Sequence, residues 1–175
     1  LLGLMPYKGE VVWRPGVKIG YVPQRIEIDT DVPLSVKEFF GLRGGKFSSA
    51  AVNEALCLVQ LKESILKASL GEISVGQRQR ILVAWATITK PEVLLFDEPT
   101  ADIDIRGQES IYQMLHELQD KMGLTIILIS HDLNVVYRYA QRVLCLNRRN
   151  VCLGSPKEAL TVNTLQELYG GERAF

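Results

Sequence analysis

Asp97 and Glu98 stand side by side directly after Val93-Leu94-Leu95-Phe96, a run with no polar residue. A carboxylate pair delivered by a buried strand suits hydrolysis of a nucleotide phosphate. The first carboxylate can hold Mg²⁺ through water, because a hard cation takes oxygen ligands. The second can orient and deprotonate an attacking water. Taken alone, such a strand-end acid could equally cap the next helix. Two more polar residues follow apolar runs: Gln24 after Tyr21-Val22-Pro23, and His131 after Thr125 to Ser130. In isolation these read as a surface turn residue and a structural histidine. Ser74-Val75-Gly76-Gln77 fits S-x-x-Q, a capping box that opens a helix. A helix start of this kind offers free N–H groups and a positive dipole end to an anion.

The elements that must carry these residues follow from apolar periodicity. Val17 to Val22 is β-prone and closed by Pro23, so it predicts a strand. From Ser48, a suitable N-cap, Val52, Ala55, Leu56 and Val59 recur at i, i+3, i+4 and i+7, and a shorter helix is expected around Ser35 to Phe40. The helix opened at Ser74 should run to Lys90, where Pro91 stops it. Val93 to Phe96 and Thr125 to Ile129 have the solid apolar character of strands buried on both faces of a parallel sheet. Between them Ile111, Met114, Leu115, Leu118 and Met122 trace a helical stripe ended by Gly123. A short helix through Val135 to Ala140 follows, then strands Val143 to Leu146 and Val151 to Leu153, joined as a hairpin by Asn147 to Asn150. Ser155-Pro156-Lys157-Glu158 is a capping box with Pro at N1 that starts a C-terminal helical tail. Alternating strands and helices imply an α/β fold with a mainly parallel sheet, in which ligands bind at carboxyl strand ends. The mainly helical stretch between Gln24 and Val93 is too long for a simple connection and implies an inserted helical subdomain.

The chain has 175 residues, 47% hydrophobic and 23% charged, which suits a folded domain and excludes disorder. Twenty basic residues balance twenty acidic ones, so nothing in the charge points to a nucleic-acid partner. No apolar run approaches the roughly 20 residues needed to span a bilayer. Cys57, Cys145 and Cys152 lack C-x-x-C spacing and sit in apolar segments, so they are expected to be small core hydrophobes rather than a disulfide framework. His116 and His131 are not at ligand spacing, so no protein-held metal site and a reducing, cytosolic compartment are expected.

Taken together, the motifs resemble the nucleotide-binding domain of ATP-binding cassette (ABC) proteins. Val93 to Glu98 is similar to the Walker B strand, Gln24 to the Q-loop glutamine, and Ala101-Asp102-Ile103-Asp104 to the D-loop. Ser130-His131-Asp132 is similar to the switch-histidine region, and Ile73 to Arg80 to the signature motif and its helix. The resemblance implies a P-loop NTPase core at 1–24 and 91–175 with a helical subdomain at 25–90. It also implies ATP and Mg²⁺ as cofactors. Asp97 would hold the metal through water, Glu98 would be the general base, and His131 would contact the γ-phosphate. Gln24 would touch the metal or attacking water. Ser74, Gly76 and Gln77 would reach ATP held by an opposite subunit, and Asp104 would sit at the dimer seam.

The sequence departs from the family pattern in two places. Val75 replaces the usual middle glycine of the signature and puts a branched side chain beside the expected phosphate. No G-x-x-x-x-G-K-[ST] occurs; Gly44-Gly45-Lys46 does not follow a strand. The opening Leu1-Leu2 resembles the end of the P-loop helix, so the expectation is an N-terminally truncated ABC ATPase that does not bind ATP tightly by itself.

The segments Tyr21 to Val36, Ser130 to Ala140 and Leu144 to Asn147 resemble those of zinc and manganese importer ATPases. The implied partners are transmembrane permease subunits and a second nucleotide-binding subunit, and the implied place is the cytoplasmic inner face of the membrane. Ile26 and Ile28 are expected to contact the permease, while the Val52 to Val59 stripe packs internally. An iron-chelate importer ATPase, a non-transport ABC ATPase and an inactive assembly module are the alternatives.

Overall fold

The computed structural model describes residues 1–24, 26, 32–44, 47–98, 103–147 and 149–170. Two compact units are present, Leu1–Leu128 and Ile129–Phe175. In the first, β1 (Ile19–Val22), α1 (Val36–Gly41), α2 (Ser49–Leu58), a 3₁₀ turn (Glu63–Lys67) and α3 (Val75–Thr87) are followed by β2 (Val93–Asp97) and α4 (Ile105–Met122). Strand β3 (Thr125–Ile129) ends this unit, its last residue falling in the second.

The sheet order is β1-β2-β3. β1 and β2 run parallel, with Ile19 level with Val93 and Val22 level with Phe96. All four apolar residues of β2 are buried, as a central strand requires. β3, though as apolar, is half exposed, with Ile129 open to solvent. The double burial expected of it is absent because it is an outer strand, without the neighbours on both sides that β2 has. Helix α3 packs on β1 and α2 on α3. Gly20 makes the first contact possible. A Cβ there would lie 3.0 Å from the Ala86 carbonyl oxygen and 3.0 Å from Leu94 Cδ1, so only glycine lets the helix backbone come this close.

Caps set the helix starts. Ser35, Ser48 and Ser74 each accept a bond from a first-turn N–H, and Ser35 and Ser74 close full capping boxes. The stripe on α2 faces inward as expected, with Ala55, Leu56 and Val59 buried. Helix α3 stops at Thr87, short of the expected Lys90. The Thr87 hydroxyl donates back to the Val83 carbonyl at 2.8 Å, and the Lys90 N–H closes a tight turn onto the Thr87 carbonyl at 2.8 Å. Gly123 ends α4 in the left-handed region at φ 64°.

The second unit contains α5 (Leu133–Tyr139), β4 (Val143–Leu146), β5 (Asn150–Gly154), α6 (Pro156–Ala159) and α7 (Val162–Tyr169). β4 and β5 form the expected antiparallel hairpin, with Leu144 opposite Leu153 and Cys145 opposite Cys152. The hydroxyl of Tyr137 donates to the Leu160 carbonyl at 2.9 Å, tying α5 to the residue that ends α6. Arg149 pairs with Glu167 of α7.

The cysteine expectation needs correction. Cys145 and Cys152 form a disulfide across the hairpin, with Cα atoms 4.8 Å apart, and Cys57 is exposed rather than a core residue. Spacing rules miss the pair because strand register, not an i, i+3 motif, brings the two together. Cys57 lies on the outer side of α2, one residue beyond buried Leu56.

Candidate functional site

Parallel register assembles the first part of the site. Because Val22 is level with Phe96, the two strands end side by side, and the residue two positions further along each is Gln24 or Glu98. Gln24 Nε2 donates to Glu98 Oε2 at 2.9 Å, a bond strengthened by the carboxylate charge. Asp97, the last residue of β2, is half-buried beside them in sequence. Glu98 has φ 38°, in the left-handed region that side chains rarely adopt. Strain of this kind costs on the order of 1–3 kcal/mol and persists where the surroundings over-determine it. Here the buried strand before Glu98 and its bond to Gln24 supply that constraint.

The second part is the start of α3. The Ser74 hydroxyl accepts the Gln77 N–H at 3.2 Å, and the Gln77 side chain accepts the Ser74 N–H at 3.0 Å. Both side chains expected to meet a phosphate thus serve the cap. The N–H groups of Val75 and Gly76 belong to the first turn, where no intrahelical partner exists. Gly76 has open space where a Cβ would stand. Neither packing nor backbone conformation therefore demands glycine there. Val75 is exposed, so its branched side chain does not crowd the fold.

Asp104 caps α4, accepting the Gly107 N–H at 2.8 Å. Gly107 was not singled out from the sequence, yet a Cβ on it would lie 2.8 Å from Asp104 Oδ1 and 2.5 Å from Ile103 Cγ2. The readable signal was an N-cap Asp with Gly three residues on. Ala101 and Asp102 of the expected D-loop, and Ile28, lie outside the described residues; Ile26 is half-buried.

His131 is exposed and belongs to the other unit. Its neighbours shape the turn around it. The Asp132 N–H donates to the Ser130 hydroxyl at 3.1 Å, and Asp132 caps α5 by accepting the Asn134 N–H at 2.8 Å.

Residues 3–101 match the ABC transporter family model, more than half of the chain. The chain belongs to the ABC transporter family. The family match includes Gln24, Ser74 to Gln77, Asp97 and Glu98, and stops before Asp104 and His131. The zinc import ATP-binding protein ZnuC of Pasteurella multocida is 37% identical over 171 residues, covering 98% of this chain and 64% of that protein. ZnuC of Haemophilus influenzae is 36% identical, covering 97% of this chain and 62% of that protein. The chain therefore spans a little under two thirds of the length of these ABC relatives. Among solved structures, one described as an inward-facing metal-chelate type ABC transporter superposes with TM-score 0.79 at 27% identity, over 87% of this chain and 64% of that one. CbiO1 of Clostridium perfringens, part of the ABC transporter complex cbiONQ, gives 0.67 at 32% identity, over 81% and 58%. The α/β fold with a parallel sheet is the one these ABC proteins share.

Proposed function

We propose that the complete gene product hydrolyses ATP to power an ABC importer for a divalent metal ion, zinc in particular. The observation that carries the reading is the Gln24–Glu98 pair at the carboxyl edge of the sheet, 2.9 Å apart. Similarity to zinc import proteins over nearly the whole chain supports the choice of metal.

The donors at this edge fit Mg²⁺ and a nucleotide. Asp97 offers carboxylate oxygens and Gln24 keeps a carbonyl oxygen after spending an N–H on Glu98, the ligand type a hard cation takes. When bound, the metal neutralises phosphate charge and so eases phosphoryl transfer. Glu98 is the general base, holding the proton of the attacking water, and Gln24 orients its carboxylate. His131 contacts the γ-phosphate. Ser74, Gly76 and Gln77, at the start of α3, meet ATP held by a second nucleotide-binding subunit, with Asp104 at the seam. The described chain has no G-x-x-x-x-G-K-[ST], so these residues contribute to such a site without supplying its phosphate cradle.

The proposed division is an ATPase core at 1–24 and 91–175 and a helical subdomain at 25–90. Permease subunits are the membrane partners, and among the described residues no helix is long and apolar enough to cross a membrane itself. The proposed place is the cytoplasmic face of that membrane.

Cells lacking the gene are expected to lose high-affinity zinc uptake, regained with the wild-type gene and not with Glu98→Gln. Unchanged zinc uptake in the deletion, or loss of ferric-chelate uptake instead, overturns the assignment. Gly76→Ala tests the signature separately. Since an added Cβ meets nothing, thermal stability should be unchanged or rise slightly. The added Cβ would stand where the opposite subunit's phosphate must approach the turn, so ATP-dependent association should weaken about 10- to 100-fold, the scale of one charge-assisted hydrogen bond lengthened beyond reach. A stable variant that associates normally removes Gly76 from the site.

A further inference from the structure

The start of α3 and the start of α4 are braced to each other by one side chain. Arg80 lies six residues after the cap Ser74, and Ser110 lies six residues after the cap Asp104. Arg80 Nη2 donates to Ser110 Oγ at 2.8 Å, and Nη1 donates to the Val59 carbonyl at 2.6 Å and to Gln60 Oε1 at 3.3 Å. Val59 is the C-cap of α2, so its carbonyl is one of those that no helix residue can satisfy. Gln60, in the left-handed region at φ 59°, passes the connection on by donating to Glu117 Oε2 at 3.2 Å on α4. Glu117 also accepts from Lys121 at 3.4 Å. Burial pulls the Arg80 guanidinium below its ordinary range, with the Glu117 charge opposing. A half-buried cation with three acceptors in fork geometry is a rigid joint, which a flexible ammonium cannot reproduce.

Six residues of helix is about 9 Å, so the brace joins α3 and α4 at equal depth behind their two N-termini. Those are the ends that carry Ser74 and Gly76 on one helix and Asp104 on the other. We infer that Arg80 is a positioning residue that locks α3 to α4, so that the signature turn and Asp104 approach a second subunit as one surface. The inference rests on the proposed ATP-dependent pairing of two subunits. In this role Arg80 acts through the two caps rather than on the nucleotide.

The test uses the complete gene product with Glu98→Gln as a hydrolysis-slowed background, and compares it with added Arg80→Lys or Ser110→Ala. Lysine keeps the charge and loses the fork. Ser110→Ala leaves the Val59 and Gln60 bonds intact and removes only the direct bond to α4, so folding is preserved. Each variant is expected to weaken ATP-dependent association about tenfold, the scale of one charged hydrogen bond. ATP affinity of the single subunit should stay within about twofold, and backbone hydrogen exchange should quicken at the starts of α3 and α4. Unchanged association in either variant, on a background that does pair, overturns the positioning role and leaves the proposed function standing. A background that fails to pair with ATP overturns both.

Discussion

Glu98→Gln is expected to lower ATP hydrolysis by the complete gene product by about 10²- to 10⁴-fold, the range contributed by a positioned general base. ATP affinity should change little. The substitution suits the question because glutamine keeps the size of the side chain and an acceptor oxygen for Gln24 Nε2, the donor now 2.9 Å from Glu98. It removes the basicity alone. The strained backbone at residue 98 is set by the buried strand before it, so the side chain should stay where it is. Steady-state kcat and KM separate the outcomes: a fall in kcat at constant KM is the expected result. A variant that hydrolyses ATP within a few-fold of wild type would mean that the proton goes elsewhere and that the Gln24–Glu98 pair is structural.

Phe96→Ala is expected to destabilise this chain by roughly 3–5 kcal/mol, the range for truncating a fully buried aromatic. Phe96 has 0% of its surface exposed and stands level with Val22, also at 0%. Total stability of a domain is of order 5–15 kcal/mol, so the loss would remove much of it. Urea unfolding with an unchanged slope and a lowered midpoint is the measurement. A cost under about 1 kcal/mol would show that β2 is not the centre of the core. The same residue links folding to chemistry, because the register that seats Phe96 beside Val22 is what brings Glu98 to Gln24.

Much of the architecture is readable from residue patterns for identifiable reasons. Ser35, Ser48 and Ser74 announce helix starts because a hydroxyl beside a helical turn can satisfy an N–H locally. Gly123 announces a helix end because the left-handed region favours glycine. Where an element depends on what lies beyond it, the reading fails. Val93 to Phe96 and Thr125 to Ile129 look alike as strings, yet one is central and buried and the other is outer and half exposed. The end of α3 moved inward because a Thr87 back-bond and a turn at Lys90 took over before Pro91.

At the site the division is similar. The chemistry-bearing residues Gln24, Asp97, Glu98 and His131 were visible because strand ends in an α/β sheet are where polar side chains converge. Residue types and short spacings establish which groups are present, which helices begin at caps, and the family order of the motifs. Those are local properties, set by residue type and short spacing. Tertiary structure alone decided that Gln24 meets Glu98, that Cys145 meets Cys152, that Gly20 admits α3, and that Arg80 braces two helix starts. Each of these depends on register or packing between segments distant in sequence or paired across strands, and no local pattern encodes a distance across the fold.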